Sequence, residues 1–191
     1  MSDLTTTRAV RRGPLEGHAL PDDANVKAIV APFASRWVLR GGADVAAPLA
    51  AAFGPVPPSE PLRAASEGSR AALWIGPDEW LLIAEDAPDG LGGALEAALA
   101  DVPHALIDVG HRQCAIEVSG EGAERLLSAG VALDLDAAAF PVGMVARTLF
   151  LKAEVTLWRR EAMRFRVETP RSFAPYVAAA LVASARDQEL C

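Results

Sequence analysis

The same succession of patterns runs through this chain twice. In the first pass, Val26–Val30 and Arg36–Arg40 read as short strands with Pro32 between them. Gly41-Gly42 then opens an alanine-rich helix over Val45–Phe53, stopped by Gly54-Pro55. A loop from Pro55 to Arg70 leads to a hairpin, Ala71–Ile75 and Trp80–Ala84, turned by Gly76-Pro77-Asp78-Glu79. Asp89 stands where it can cap a helix whose Leu91, Leu95, Ala98 and Leu99 share one face. In the second pass, Ala105–Val109 and Gln113–Val118 are strands, and a helix from Gly120 to Ala129 ends at Gly130 in the C′ position. Three strands follow, Val145–Leu151, Glu154–Arg159 and Met163–Glu168. Ser172 then caps a helix with Phe173, Val177, Ala180 and Leu181 as its apolar stripe.

Gly41 and Gly120 lie 79 positions apart, and Leu99 and Leu181 lie 82 apart. A solenoid needs three or more repeats, so two copies of so long a unit predict a duplicated α+β fold. The expected organisation is an irregular arm over 1–25, one α+β half over 26–103, a second over 104–188 and a tail over 189–191. The two halves together make one compact domain. The arm mixes turn signals, Gly13-Pro14 and Pro21-Asp22, with Leu15, Ala19 and Leu20. It is either a frayed end or a strap anchored through those apolar residues.

Charge and motif searches remove most function classes. With 25 acidic against 18 basic residues and a net charge of -7, the chain lacks the clustered cations that a nucleic-acid backbone requires. No apolar run approaches the ~18–20 residues of a membrane helix. Met1–Pro14 has no secretory pattern, so a cytoplasmic chain with reduced thiols is expected. Its two cysteines form no metal or disulfide framework, and His18, His104 and His111 are scattered. No Gly-x-Gly-x-x-Gly follows a strand, and there is no phosphate loop ending in Gly-Lys-Ser/Thr. Cys114 shares the apolar face of its strand with Ile116 and Val118, opposite Gln113 and Glu117, which predicts an inert, buried thiol.

Asp108-Val109-Gly110-His111-Arg112-Gln113 is the most polar stretch between two apolar strands. Two readings are open. His111 or Arg112 reaches an anion or a partner, or the segment is a self-satisfied turn in which Asp108 accepts backbone N–H bonds.

A family resemblance extends these readings. Trp74-Ile75-Gly76-Pro77-Asp78-Glu79-Trp80-Leu81-Leu82, Asp108 to Gln113, and Phe140-Pro141-Val142-Gly143 occur in that order. Arg147-Thr148-Leu149, Lys152-Ala153-Glu154, Leu157-Trp158-Arg159 and Arg171-Ser172-Phe173 complete the series, and Gly13-Pro14-Leu15 matches a short N-terminal motif. Over nearly the whole chain this resembles the gamma subunit family of heterotetrameric sarcosine oxidase, with Gly110 standing where serine is usual. The resemblance implies a fold similar to the folate-binding aminomethyltransferase group. It also implies a cofactor-free subunit of a complex that oxidatively demethylates sarcosine to glycine, yielding peroxide and passing a one-carbon unit to tetrahydrofolate. FAD, FMN, NAD, zinc and tetrahydrofolate would belong to the alpha, beta and delta partners. No catalytic, cofactor-binding or metal-ligating residue is expected here. Asp108, His111, Arg112, Gln113 and Arg171 are the candidate partner interface. The alternative is a stand-alone folate-binding module or a degenerate aminomethyltransferase. Those enzymes resemble this chain but place Gly-Gly and paired acidic residues where it has Leu151-Lys152-Ala153-Glu154-Val155, with one carboxylate.

Overall fold

Two five-stranded antiparallel sheets carry the structure, and neither is built from one half of the sequence. The computed structural model describes residues 12–189. The elements of the first pass are β1 (Lys27–Val30), β2 (Ser35–Gly41), α1 (Ala46–Phe53), β3 (Ala64–Glu67), β4 (Arg70–Gly76), β5 (Glu79–Ala84) and α2 (Leu91–Leu99). The second contributes β6 (His104–Asp108), β7 (Gln113–Ser119), α3 (Ala123–Ser128), β8 (Val145–Phe150), β9 (Ala153–Glu161), β10 (Arg164–Pro170) and α4 (Ala174–Glu189). The sheets run β3-β4-β5-β2-β6 and β1-β7-β10-β9-β8.

The first strand of each pass therefore crosses over to the other pass's sheet. β1 lies against β7 with Lys27 opposite Ser119, and β6 lies against β2 with His104 opposite Gly41. The consecutive strands β1 and β2, and likewise β6 and β7, are divided between the two sheets.

Layering follows from side-chain alternation along the strands. Trp37 and Leu39 of β2, Ala72 of β4, and Trp80 and Leu82 of β5 face Leu49 and Phe53 of α1 and Leu91, Leu95 and Leu99 of α2. In the other sheet, Ile116, Val118, Leu157, Phe165 and Val167 face Leu126 and Leu127 of α3 and Val177 and Leu181 of α4. The remaining sheet faces turn toward each other. Leu73, Leu81 and Ile83 from one sheet meet Val145 and Trp158 from the other. The order is helix, sheet, sheet, helix. Burial on both faces explains why β5 is a continuous apolar run, Trp80-Leu81-Leu82-Ile83-Ala84, rather than an alternating one.

Four local expectations change. The loop between Pro55 and Arg70 contains β3, whose Ala-Ala-Ser-Glu sequence has little strand propensity. Tertiary bonds supply what propensity lacks. β3 pairs with β4, the Ala64 N–H donates to the Gly143 carbonyl at 2.9 Å, and the Val145 N–H donates to that of Leu62 at 2.9 Å. Asp89 does not cap α2, whose N-cap is Gly90 in the left-handed region at φ 86°. α4 opens at Ala174, so Ser172 is one position too early to be its N-cap. Gly130 does not have the left-handed backbone expected of a C′ residue. It is glycine because a Cβ there would lie 2.5 Å from Cε2 of Phe150.

The arm is anchored from residue 12 onward, while its first eleven residues, like Cys191, lie outside the described part. Leu15 is buried in the α3–α4 core with Leu20 against it, whereas Ala19 is exposed. The Ala28 N–H donates to the Pro21 carbonyl at 2.7 Å.

Candidate functional site

Both crossovers between the sheets lie at one corner of the molecule. The β1–β2 link passes through Ala31 to Ala34 and the β6–β7 link through Val109 to Arg112. Backbone bonds fasten both links to the strands. The Ala31 N–H donates to the Ala115 carbonyl and the Val109 N–H to that of Arg36, each at 2.9 Å.

This arrangement brings most of the sequence candidates together. His111, Gln113 and Arg171 line a cavity of about 250 Å³, along with Arg36, Cys114 and the apolar Val30–Phe33 segment. Arg112 joins through its carbonyl, which accepts the Arg171 N–H at 2.8 Å. The Arg171 side chain donates from Nη2 to the Arg12 carbonyl at 2.9 Å, tying the arm across the cavity. Asp108 points into its own turn, where Oδ1 accepts the Gly110 N–H at 2.8 Å. That bond is the self-satisfied geometry, and it involves Asp108 alone. A Cβ at Gly110 would meet the Arg36 nitrogen and Asp108 Oδ1, both at 3.3 Å, so the turn is tight.

Cys114 lines the cavity as a weakly acidic thiol. Burial first, and then the negative charge of Glu168, push its pKa up to about 11. Its Sγ lies 3.7 Å from the Thr169 carbonyl, so it remains a neutral thiol near pH 7. Among the described residues, no three His, Cys, Asp or Glu side chains are grouped to hold a metal ion. His104 is instead spent on the Val102 carbonyl and on Glu96.

Behind the cavity lies a feature the sequence reading missed. Arg36 is 1% exposed and Glu168 is 2% exposed. Arg36 donates from Nε and Nη2 to the two Glu168 oxygens at 2.8 and 3.2 Å, and from Nη1 to the Ala34 carbonyl at 2.8 Å. Arg166 donates to the same carboxylate at 2.7 Å, to Glu117 at 3.0 Å, and to Glu85. Glu117 also accepts from Arg160 at 3.0 Å and Arg164 at 3.1 Å. Burial works against the charge of Arg166, yet Glu168, Glu117 and Glu85 outweigh it and hold its pKa above the ordinary guanidinium value. The spacing Arg164-x-Arg166-x-Glu168 gave β10 one polar face. What burial needed was the knowledge that this face meets a second sheet.

The lone carboxylate in the segment compared with aminomethyltransferases is also accounted for. Glu154 accepts two bonds from Arg147 Nη2, at 3.0 and 3.1 Å, on an exposed surface. Leu151 and Lys152 form the β8–β9 turn, with Leu151 at φ 53°.

Residues 41–186 match the profile of the sarcosine oxidase, gamma subunit family. A sarcosine oxidase subunit gamma from Arthrobacter sp is 34% identical over 165 residues, covering 82% of this chain and 80% of that protein. The chain belongs to the sarcosine oxidase gamma subunit family. A second family member, from Corynebacterium sp. (strain P-1), is 36% identical over 96 residues, half of this chain and 47% of its own. Among solved structures, a chain of the heterotetrameric sarcosine oxidase from Corynebacterium sp. U-96, in complex with pyrrole 2-carboxylate, superimposes with a TM-score of 0.83. The two are 28% identical, and the match covers 93% of this chain and 95% of that one. The glycine cleavage system aminomethyltransferase T from Bartonella henselae shares the fold, with a TM-score of 0.62, 11% identity, and coverage of 85% of this chain and 47% of that one. This chain thus combines an aminomethyltransferase-like fold with a β8–β9 segment whose glutamate, Glu154, is ion-paired to Arg147.

Proposed function

We propose that this chain is the cofactor-free assembly subunit of a heterotetrameric sarcosine oxidase, and that it meets its alpha, beta and delta partners through the crossover corner. The carrying observation is the superposition over 93% of the chain on a chain of a heterotetrameric sarcosine oxidase. The corner suits an interface because a hydrogen-bonded backbone there displays exposed charges. His111 and Arg112 are exposed on the β6–β7 link, and Arg171, exposed just after β10, is held beside them by its N–H on the Arg112 carbonyl. Oxidative demethylation of sarcosine removes a hydride equivalent from a C–H bond of the N-methyl carbon, which side chains do not accept without a redox cofactor. In this reading the partners carry FAD, FMN, NAD and zinc and make peroxide and glycine there, with the one-carbon unit passing to tetrahydrofolate. This chain holds the assembly together.

The rival reading, a stand-alone folate-dependent aminomethyltransferase, needs an acid positioned at the reacting carbon. Glu154 is exposed and neutralised by Arg147, so that role has no occupant in this segment. The test is co-expression of the alpha, beta and delta chains with and without this one, followed by co-purification and peroxide release from sarcosine. The expected result is a stable, active complex with it and early dissociation without it. A fully active, stable enzyme lacking this chain sinks the proposal. The purified chain alone should show no flavin absorbance, no stoichiometric zinc and no peroxide from sarcosine.

A further inference from the structure

We propose that the cavity at the crossover corner binds a carboxylate carried on a small apolar body. It shares the corner with the partner contact proposed above but does not depend on that contact.

The cavity walls are of two kinds. Pro14, Val30, Ala31, Pro32 and Phe33 give an apolar side, and Arg36, His111, Gln113 and Arg171 give a polar one. Among the described residues, neither aspartate nor glutamate lines it. In a chain with net charge -7, such a concentration of cations against apolar walls is a local inversion of the average.

Arg36 makes the site a built one. Its side chain is buried and gripped by Glu168, so its direction is fixed before any ligand arrives. A guanidinium has more N–H donors than the three contacts Arg36 makes here. The network behind it is balanced in charge. Arg36, Arg160, Arg164 and Arg166 face Glu85, Glu117, Glu161 and Glu168, four cations against four carboxylates. Arg36 is the member of that network that lines the cavity. Arg171 lines the cavity with its Nη2 bonded to a backbone carbonyl, so an anion there gains charge-assisted bonds that a neutral ligand does not.

Size and wall chemistry narrow the class. A volume of about 250 Å³ accommodates one ring or a branched chain with its carboxylate, and excludes a dinucleotide or a folate. Planar guanidinium groups suit a planar carboxylate, and the apolar wall favours a carbon skeleton over a fully hydrated inorganic anion.

The probe is benzoate, with benzamide as its uncharged counterpart, titrated into the full chain and followed by NMR or calorimetry. Benzoate should bind saturably and benzamide about tenfold or more weakly, because only the first offers a charge to Arg36 and Arg171. Arg171→Ala should lower benzoate affinity about tenfold, with partial recovery in Arg171→Lys. Arg147→Ala, on the edge strand β8, should change nothing. Equal binding of the two probes, unchanged affinity in Arg171→Ala, or no saturation by about 10 mM benzoate overturns the proposal. The assembled complex distinguishes two sources of the carboxylate. Benzoate binding retained in the complex identifies a free acid as the ligand, whereas benzoate that competes with assembly identifies a carboxylate supplied by a partner chain. A chain that binds benzoate but fails to co-purify with the partners defeats the assembly reading alone.

Discussion

The layer between the sheets is apolar toward one end and ionic toward the other. Near β4 and β8, Leu73, Leu81, Ile83 and Val145 close the gap as an ordinary core. Toward β2, β7 and β10 the gap holds Arg36, Arg166, Glu117 and Glu168, all buried. Trp158 stands at the boundary, packing with the apolar set while the Arg160 guanidinium lies over its ring at 5.0 Å from the centroid. The two ends resist change in different ways. An apolar contact loses stability in proportion to the atoms removed, whereas a buried ion network loses it whenever one member is left unpaired. The apolar end tolerates substitutions of similar volume. The ionic end fixes which residues of the two sheets face each other.

The largest effect should come from Glu168→Leu, which leaves Arg36 and Arg166 without their shared carboxylate. Breaking a buried pair in this way costs about 3–5 kcal/mol, to be read from urea unfolding. Leu73→Ala at the apolar end should cost about 2–4 kcal/mol by the same measurement. A Glu168→Leu loss below that of Leu73→Ala would erase the distinction between the ends.

Charge reversal on the exposed side of the ionic end comes next. Arg112→Glu or Arg171→Glu should change the stability of the isolated chain by less than about 0.5 kcal/mol. The same changes should weaken co-purification with the partner chains, since reversing an interfacial charge costs several kcal/mol. A large loss of fold stability would instead make the corner internal.

The smallest effect belongs to an ion pair outside the buried network. His104 has its pKa raised, first by the bond to the Val102 carbonyl and then by Glu96. Both partners are acceptors, so satisfying both requires a doubly protonated ring. A folded-state pKa above the unfolded one gives stabilisation that is complete below about pH 6.5 and fades as pH rises through the raised value. With Glu96 half exposed, the loss from about pH 6 to pH 8 should be near 0.5 kcal/mol or less. Denaturation midpoints across that range should flatten in His104→Asn.

Local pattern was sufficient for most elements and insufficient for their partners. The hairpin at Gly76–Glu79 and the apolar stripe Leu91, Leu95 and Leu99 are written in turn chemistry and periodicity, both short-range signals. β3 carries no such signal, because its stability comes from Leu62, Gly143 and β4. The separation of β1 from β2 was equally hidden. Alternation shows which residues share a face and is silent on which sheet owns that face. At the corner, the spacing from Asp108 to Gln113 marked a polar turn, and Arg171 entered through the family resemblance. Arg36 was read only as a strand residue, since nothing local distinguishes a buried strand arginine from a solvated one. Glu168, 132 positions away, makes the difference.

The exchange of first strands also sets a timetable for synthesis. Lys27 pairs with Ser119, so β1 leaves the ribosome with no sheet to join. At 5–20 residues per second it waits roughly 5–18 seconds for β7 to emerge. During that interval Ile29 and Val30 sit on an unpaired strand beside a first sheet that lacks only β6. Co-translational chaperones should therefore meet this chain with β1 exposed.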